Sequence, residues 1–175
     1  AVFKRGASAI YWGYFTSDMS VTSGDDELNL GGLSHAIVGS GIILLVASLI
    51  AIPFGIITAI YITEIKGRFS GLVRIMIQSM SGVPSIVAGL FVFALLVSGK
   101  GFSAISGAVA LSILMLPTVA RTAEEVLRLV PEDLRTSAYA LGATQTATTF
   151  RIVLPAARAG LVTASMLGIA RVAGE

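Results

Sequence analysis

The sequence predicts an all-α, polytopic transmembrane helical domain, and three observations carry that prediction. Charged residues make up 13% of the 175, against roughly 25% in a typical soluble domain. Apolar residues make up 55%, and mean hydropathy is +0.88. The charges are gathered into a few segments, leaving the long uncharged stretches that lipid-facing helices require.

Composition also removes several functions. Cysteine is absent, which excludes disulfides, thiolate catalysis and Cys-based metal sites. The single histidine, His35, cannot build a metal site alone; lying just before an apolar segment, it reads as an interfacial polar residue. Net charge is +2, but no basic run interleaved with aromatics points to nucleic acid. The only Gly-Lys pair, Gly99-Lys100, lacks the framing of a Gly-x-x-x-x-Gly-Lys-Ser/Thr loop, so a P-loop ATP site is excluded. Asp, Glu, His and Ser form no catalytic constellation. The chain starts with Ala and carries no signal-peptide pattern, and residues 168–175 fall inside an apolar helical pattern. It therefore reads as a fragment of a longer protein, truncated on both sides.

The elements follow in order. Residues 1–35 hold Tyr11, Trp12, Tyr14 and Phe15, then an acidic run at 23–27 and Gly31-Gly32. They read as an extracytoplasmic loop with an interfacial aromatic belt. Residues 36–175 read as the transmembrane domain. Its first span, 36–62, is uncharged and about 40 Å long as a helix, enough to cross a ~30 Å core with tilt. Pro53 predicts a kink within it. After a polar connection at 63–71 with Glu64, Lys66 and Arg68, a second span is expected over 72–97. Arg74 lies near its polar end, where it can snorkel, and Gly82-Val83-Pro84-Ser85 falls in its first half. A turn at 98–101 leads to a third span over 102–120, where Ala104, Ala108 and Ser112 form a small-residue packing face.

Residues 121–160 break the pattern, with five arginines and four acids. Arg121–Glu125 and Glu124–Arg128 are spaced i,i+4, as in a solvated helical extension. Pro131-Glu132-Asp133 reads as a helix start and Gly142 as its end. A Thr-rich stretch at 144–149 leads to a second short helix, with Leu154-Pro155 as a further break. Leu161 then opens a fourth span. Segments 63–74 and 121–160 together hold eight Lys or Arg, against three on the opposite side beside four acids, so both are expected to face the cytoplasm. Two short helices with a glycine elbow suggest a docking element for a cytoplasmic partner; the competing reading is a re-entrant or surface-lying loop.

The stretch TSAYALGATQTATTFRIVLP resembles the signature loop of ABC-importer permeases: Glu-Ala-Ala, three residues, Gly, nine residues, Ile, one residue, Leu-Pro. Ala138, Gly142, Ile152, Leu154 and Pro155 match in register. Thr136 stands for the usual Glu and Ser137 for the first Ala. Thr136 leaves open one charged contact with the ATPase, though Glu132 and Asp133 lie one turn earlier. The segments SGVPSIVAGLFVFALLV, LPTVARTAEEVLRLVPEDLR, ARVAGE and AIPFGIITAIYITEI are similar to phosphate-importer permeases of the PstA type. The resemblance implies a type I ABC-importer permease (MetI-like) fold in a bacterial inner membrane. It further implies an ATPase-coupling role for the signature loop, a homologous PstC-type permease partner, two cytoplasmic ATPase subunits that bind ATP and magnesium, and an extracytoplasmic phosphate-binding protein. No cofactor is expected in this chain. The alternatives are a permease for sulfate, molybdate or tungstate, or a membrane anchor or sensor that moves no solute.

Ionisable residues within spans are the candidates for transport, because a charge at the bilayer centre costs about 2.5–3.5 kcal/mol. Arg171 lies ten residues past Leu161, about 15 Å into the membrane. Glu175 follows at i+4, where the two can pair. The expected role of Arg171 is to attract a passing oxyanion, with Glu175 holding it between cycles; the competing reading is a pair that tightens helix packing. The resemblance carries the same Arg-x-x-Gly-Glu pattern.

Overall fold

The structure is a computed structural model that describes residues 12–18, 32–65, 67–99 and 101–175. Two compact units are distinguished, Ala1–Ile43 and Leu44–Glu175. In the first, a 3-10 turn at Trp12–Phe15 is followed by Leu33, whose N–H donates to the Tyr14 carbonyl at 2.8 Å. Ser34 donates its hydroxyl to Asp18 Oδ1 at 2.6 Å. The acidic run 23–27, Tyr11 and Gly31 lie outside the described residues, as do Lys66 and Lys100.

Among the described residues six helices carry the fold and there is no strand. Helix α1 (Ser34–Glu64) has 31 residues, about 46 Å at 1.5 Å per residue. It is apolar all round, as a lipid-embedded helix is, and Pro53 lies inside it without interrupting it. The expected single span over 72–97 is instead two helices, α2 (Arg68–Ser81) and α3 (Ser85–Val97), bent by 101° at the break. Gly82 caps α2, and Pro84 precedes α3 with φ −59° and ψ 139°. Proline supplies no N–H and disfavours helical backbone in the residue before it, and with Gly82 two residues earlier the helix breaks at this point. At about 21 and 20 Å, neither piece alone spans a ~30 Å core.

Helix α4 (Ala104–Arg128) starts on a capping box, with Ser103 Oγ accepting from the Ser106 N–H at 3.2 Å. It runs eight residues past the expected end of the third span, and the extension carries both ion pairs expected of it. Arg121 and Glu125 are 3.9 Å apart, and Arg128 and Glu124 2.7 Å. Of the small-residue face, Ala108 and Ser112 are buried while Ala104 is exposed.

Helix α5 (Glu132–Ala140) follows Pro131, with Glu132 and Asp133 in its first turn. It closes on Gly142 at φ +82°. Ala143 N–H returns to the Ala138 carbonyl at 3.0 Å and Gly142 N–H to Tyr139 at 2.9 Å, the paired bonds of a Schellman end. The expected short second helix and the break at Leu154-Pro155 are both absent. Instead α6 runs unbroken over Gln145–Ala173, with a π turn at Thr149–Val153 immediately ahead of Pro155. Pro155 thus lies inside a continuous helix, as Pro53 does in α1 and Pro117 in α4.

Helix α4 is the central element. Its buried Met115, Val119, Ala123 and Leu127 meet Ala51 and Ala59 of α1, Val153, Ala157, Ala164 and Val172 of α6, and through Ala120 also Ile77 of α2. Val119 sits between two glycines. A Cβ on Gly55 would lie 2.9 Å from its Cγ1, and one on Gly168 2.5 Å from its Cγ2. Hydrogen at both positions lets α1 and α6 close on α4, the small-residue packing that membrane helices use where lipid supplies no hydrophobic drive.

Candidate functional site

The arginine-rich end of the second unit carries a polar groove of about 830 Å³, lined in part by Glu64, Arg74, Arg128, Arg135, Tyr139 and Gln145. At its floor lies Glu64, the last residue of α1 and 9% exposed. One carboxylate oxygen accepts from Arg135 Nη1. The other accepts from Thr149 Oγ1 at 3.3 Å, and the Glu64 carbonyl accepts from Gln145 Nε2. Arg135, also 9% exposed, donates Nη2 to the Leu127 carbonyl at 3.0 Å, and its Nε lies 3.6 Å from Glu132 Oε2.

Helix α5 carries Arg135 of this cluster and lies beside the rest of it. Arg135 and Ala138 are its only buried residues. Leu134, Thr136, Ser137, Tyr139 and Ala140 face outward. Leu141, at 89% exposed, and Leu129 at 82% extend that surface on either side. The tip of this polar, arginine-bearing end thus shows isolated leucines and a tyrosine at its surface.

The signature residues divide between this tip and the support behind it. Thr136 and Ser137 lie on the exposed face of α5 and Gly142 forms its elbow. Ala138 points inward. Ile152 and Leu154 are half-buried, Leu154 packing against the cluster around Leu127 and Val153, and Pro155 is exposed on α6. Sequence reasoning missed Glu64, which it placed in a plain polar connection. An acid in the last turn of a helix opposes the helix dipole; that mismatch signals a residue held by a partner.

No ion pair joins Arg171 and Glu175, the last residue described. The Gly174 and Glu175 N–H groups bond the Arg171 and Val172 carbonyls. Arg171 instead donates Nη1 to Thr118 Oγ1 of α4 at 3.0 Å, and its side chain is exposed. Arg74, expected to snorkel, pairs with Glu124.

A family described as binding-protein-dependent transport system inner membrane component matches residues 51–175. The chain belongs to that family. Among relatives, the phosphate transport system permease protein PstA 1 of Mycobacterium tuberculosis (strain H37Rv) is 47% identical over 148 residues, covering 83% of this chain and 48% of the relative. PstA of Yersinia pestis is 37% identical over 183 residues, covering 95% and 62%. The chain spans about half the length of the mycobacterial relatives it matches. A solved chain of the MetNI methionine ABC transporter in inward-facing conformations aligns with a TM-score of 0.66 at 19% identity, over 82% of this chain and 68% of that one. The fold is therefore that of a MetI-like importer permease, as the family membership requires. Its all-α architecture agrees with the sequence expectation, and the bend at 82–84 and the unbroken α6 are the departures.

Proposed function

We propose that the protein containing this chain is the transmembrane permease subunit of an ATP-driven phosphate importer. The observation that carries the reading is α5 itself. This nine-residue helix presents its polar and apolar side chains away from the spans and ends on a left-handed glycine, beside sequence similarity to PstA proteins. In this reading the arginine-rich end faces the cytoplasm, as the excess of basic residues there favours. Helix α5 with Thr136, Ser137 and Gly142 docks on one of two ATPase subunits, which bind ATP and magnesium. Ala138, Ile152, Leu154 and Pro155 hold it in place from behind. A homologous PstC-type subunit completes the pathway, and an extracytoplasmic phosphate-binding protein delivers the substrate. The chain itself contributes no hydrolytic chemistry and needs no cofactor.

Arg171 is the candidate for the pathway. Thr118 occupies one of its terminal nitrogens, leaving donors of the planar fork that suits phosphate oxygens. Thr118 bonds Arg171 in this conformation, and Glu175 keeps its proposed role of holding Arg171 between cycles.

The test is uptake of radiolabelled phosphate by the full complex reconstituted in proteoliposomes. Uptake is expected to require ATP and the loaded binding protein and to resist excess sulfate. Equal competition by sulfate would transfer the reading to another oxyanion, and no uptake of either anion would leave an anchor or sensor subunit.

A further inference from the structure

The surroundings of Glu64 bear on how movement at the docking helix reaches the spans. Its carboxylate stands at the negative end of the α1 dipole and out of water, two conditions that disfavour its charge unless partners compensate. Two helices supply them: Arg135 of α5 and Thr149 in the π turn of α6 meet the carboxylate, while Gln145 in the first turn of α6 donates to the Glu64 backbone carbonyl. Through its second terminal nitrogen Arg135 also holds the Leu127 carbonyl near the end of α4. The rest of the inward face of α5 is Ala138, a methyl group. A methyl contact resists pushing but not pulling or sliding, whereas a charge-assisted hydrogen bond is directional and holds in both senses.

We infer that Glu64 is a positioning residue that ties the docking helix to α1, and that the Glu64–Arg135 pair carries displacement of that helix into the first span. The inference rests on the permease reading above. The π turn lies beside the pair, with Thr149 Oγ1 3.3 Å from the second carboxylate oxygen and 3.0 Å from the Gln145 carbonyl, so its one proton is shared between them.

The test uses the full complex with the full-length subunit, in proteoliposomes. The readout is stimulation of ATP hydrolysis by phosphate-loaded binding protein per assembled complex, alongside the amount of co-purified ATPase. Glu64→Gln and Arg135→Gln are each expected to lower stimulation at least about fivefold, the scale of a real coupling energy. Co-purified ATPase is expected to stay near the wild-type amount. The double variant is expected to be no worse than the poorer single one, because one linkage can be broken only once. Wild-type stimulation in Glu64→Gln overturns the inference, and so do losses that multiply in the double variant. Loss of the ATPase from the purified complexes also overturns it, since the pair would then only build the docking surface. If Glu64→Gln fails to accumulate, Glu64→Asp decides. It keeps the charge one methylene short of Arg135, so reduced stimulation supports the linkage and unchanged stimulation overturns it. A wild-type complex that the loaded binding protein does not stimulate would sink the permease reading itself, a result distinct from all of these.

Discussion

Arg74 of α2 and Glu124 of α4 form an ion pair with Nε and Oε1 2.9 Å apart, and the same oxygen accepts from Arg128 Nη2 at 2.7 Å. One carboxylate with an 11% exposed side chain thus stands between two guanidinium groups that are 40% and 53% exposed. It joins the start of the bent α2–α3 pair to the central helix. Glu124→Ala leaves two like charges facing each other without their counter-ion. Because both arginines retain water, the expected loss is about 1–2 kcal/mol, below that of a fully buried pair. In a chain of this size that lowers the melting midpoint of the detergent-purified complex by roughly 2–8 °C. Arg74→Lys is expected to cost less. An unchanged midpoint in Glu124→Ala would show that α2 is held by packing alone.

Gly142 adopts φ +82° with open space around it, so its requirement concerns the backbone and not room. A branched residue there is strained by about 1–2 kcal/mol, and the Schellman bonds that aim α5 are weakened. Gly142→Val is expected to insert and assemble but to lose most binding-protein-stimulated ATP hydrolysis. Gly142→Asn, which tolerates left-handed backbone better, is expected to keep more of it. Equal behaviour of the two variants would separate the elbow's conformation from coupling.

At Gly168 the constraint is space. An added methyl group meets Val119 Cγ2 at 2.5 Å and Met115 at 3.2 Å, and Val119 is a stiff side chain with Gly55 on its other flank. Gly168→Ala is expected to destabilise the complex by about 1–3 kcal/mol through overpacking. Adding Val119→Ala is expected to recover part of that loss, making the double variant more stable than additivity allows. Thermal melting of the four proteins checks this, and strict additivity would place the glycine outside the α4–α6 contact.

Arg171→Gln removes the charge while keeping a side chain that can still bond Thr118. Assembly and binding-protein docking are expected to survive while phosphate uptake per assembled complex falls to background. Arg171→Lys, which keeps charge but not the planar fork, is expected to be intermediate. Normal uptake in the glutamine variant would leave Arg171 as a packing residue held by Thr118.

Much of this was legible in the sequence because it rests on local rules. Uncharged runs marked α1 and α4, Pro131 with its two acids marked the start of α5, and Gly142 marked its end. What was not legible depended on partners distant in sequence. Glu64 reads as loop until Arg135 and Thr149 arrive from 71 and 85 residues away. Arg171 was given its acid at i+4, and its hydrogen bond to a hydroxyl 53 residues earlier was not foreseen. The two proline positions were read the wrong way round. Pro84, two residues after Gly82, sits at a helix break where a continuous span was expected, while Pro155 lies inside α6, after a π turn. In each case the ring constraint was clear, but its outcome depended on the geometry of the neighbouring turn.

That turn has a consequence for how the chain tolerates changes in length. A π turn is an α-helix holding one surplus residue, so α6 is wound around an insertion at Thr149–Val153. Deleting one residue there lets the helix relax to regular winding, with Ala157, Leu161 and Ala164 keeping their face towards α4. The same deletion three turns later turns everything downstream by about 100° and swings Gly168 and Arg171 off α4. Segment 149–153 is thus a reserve of length in an otherwise fixed register, and single-residue deletions scanned along α6 should be accepted there and rejected beyond it.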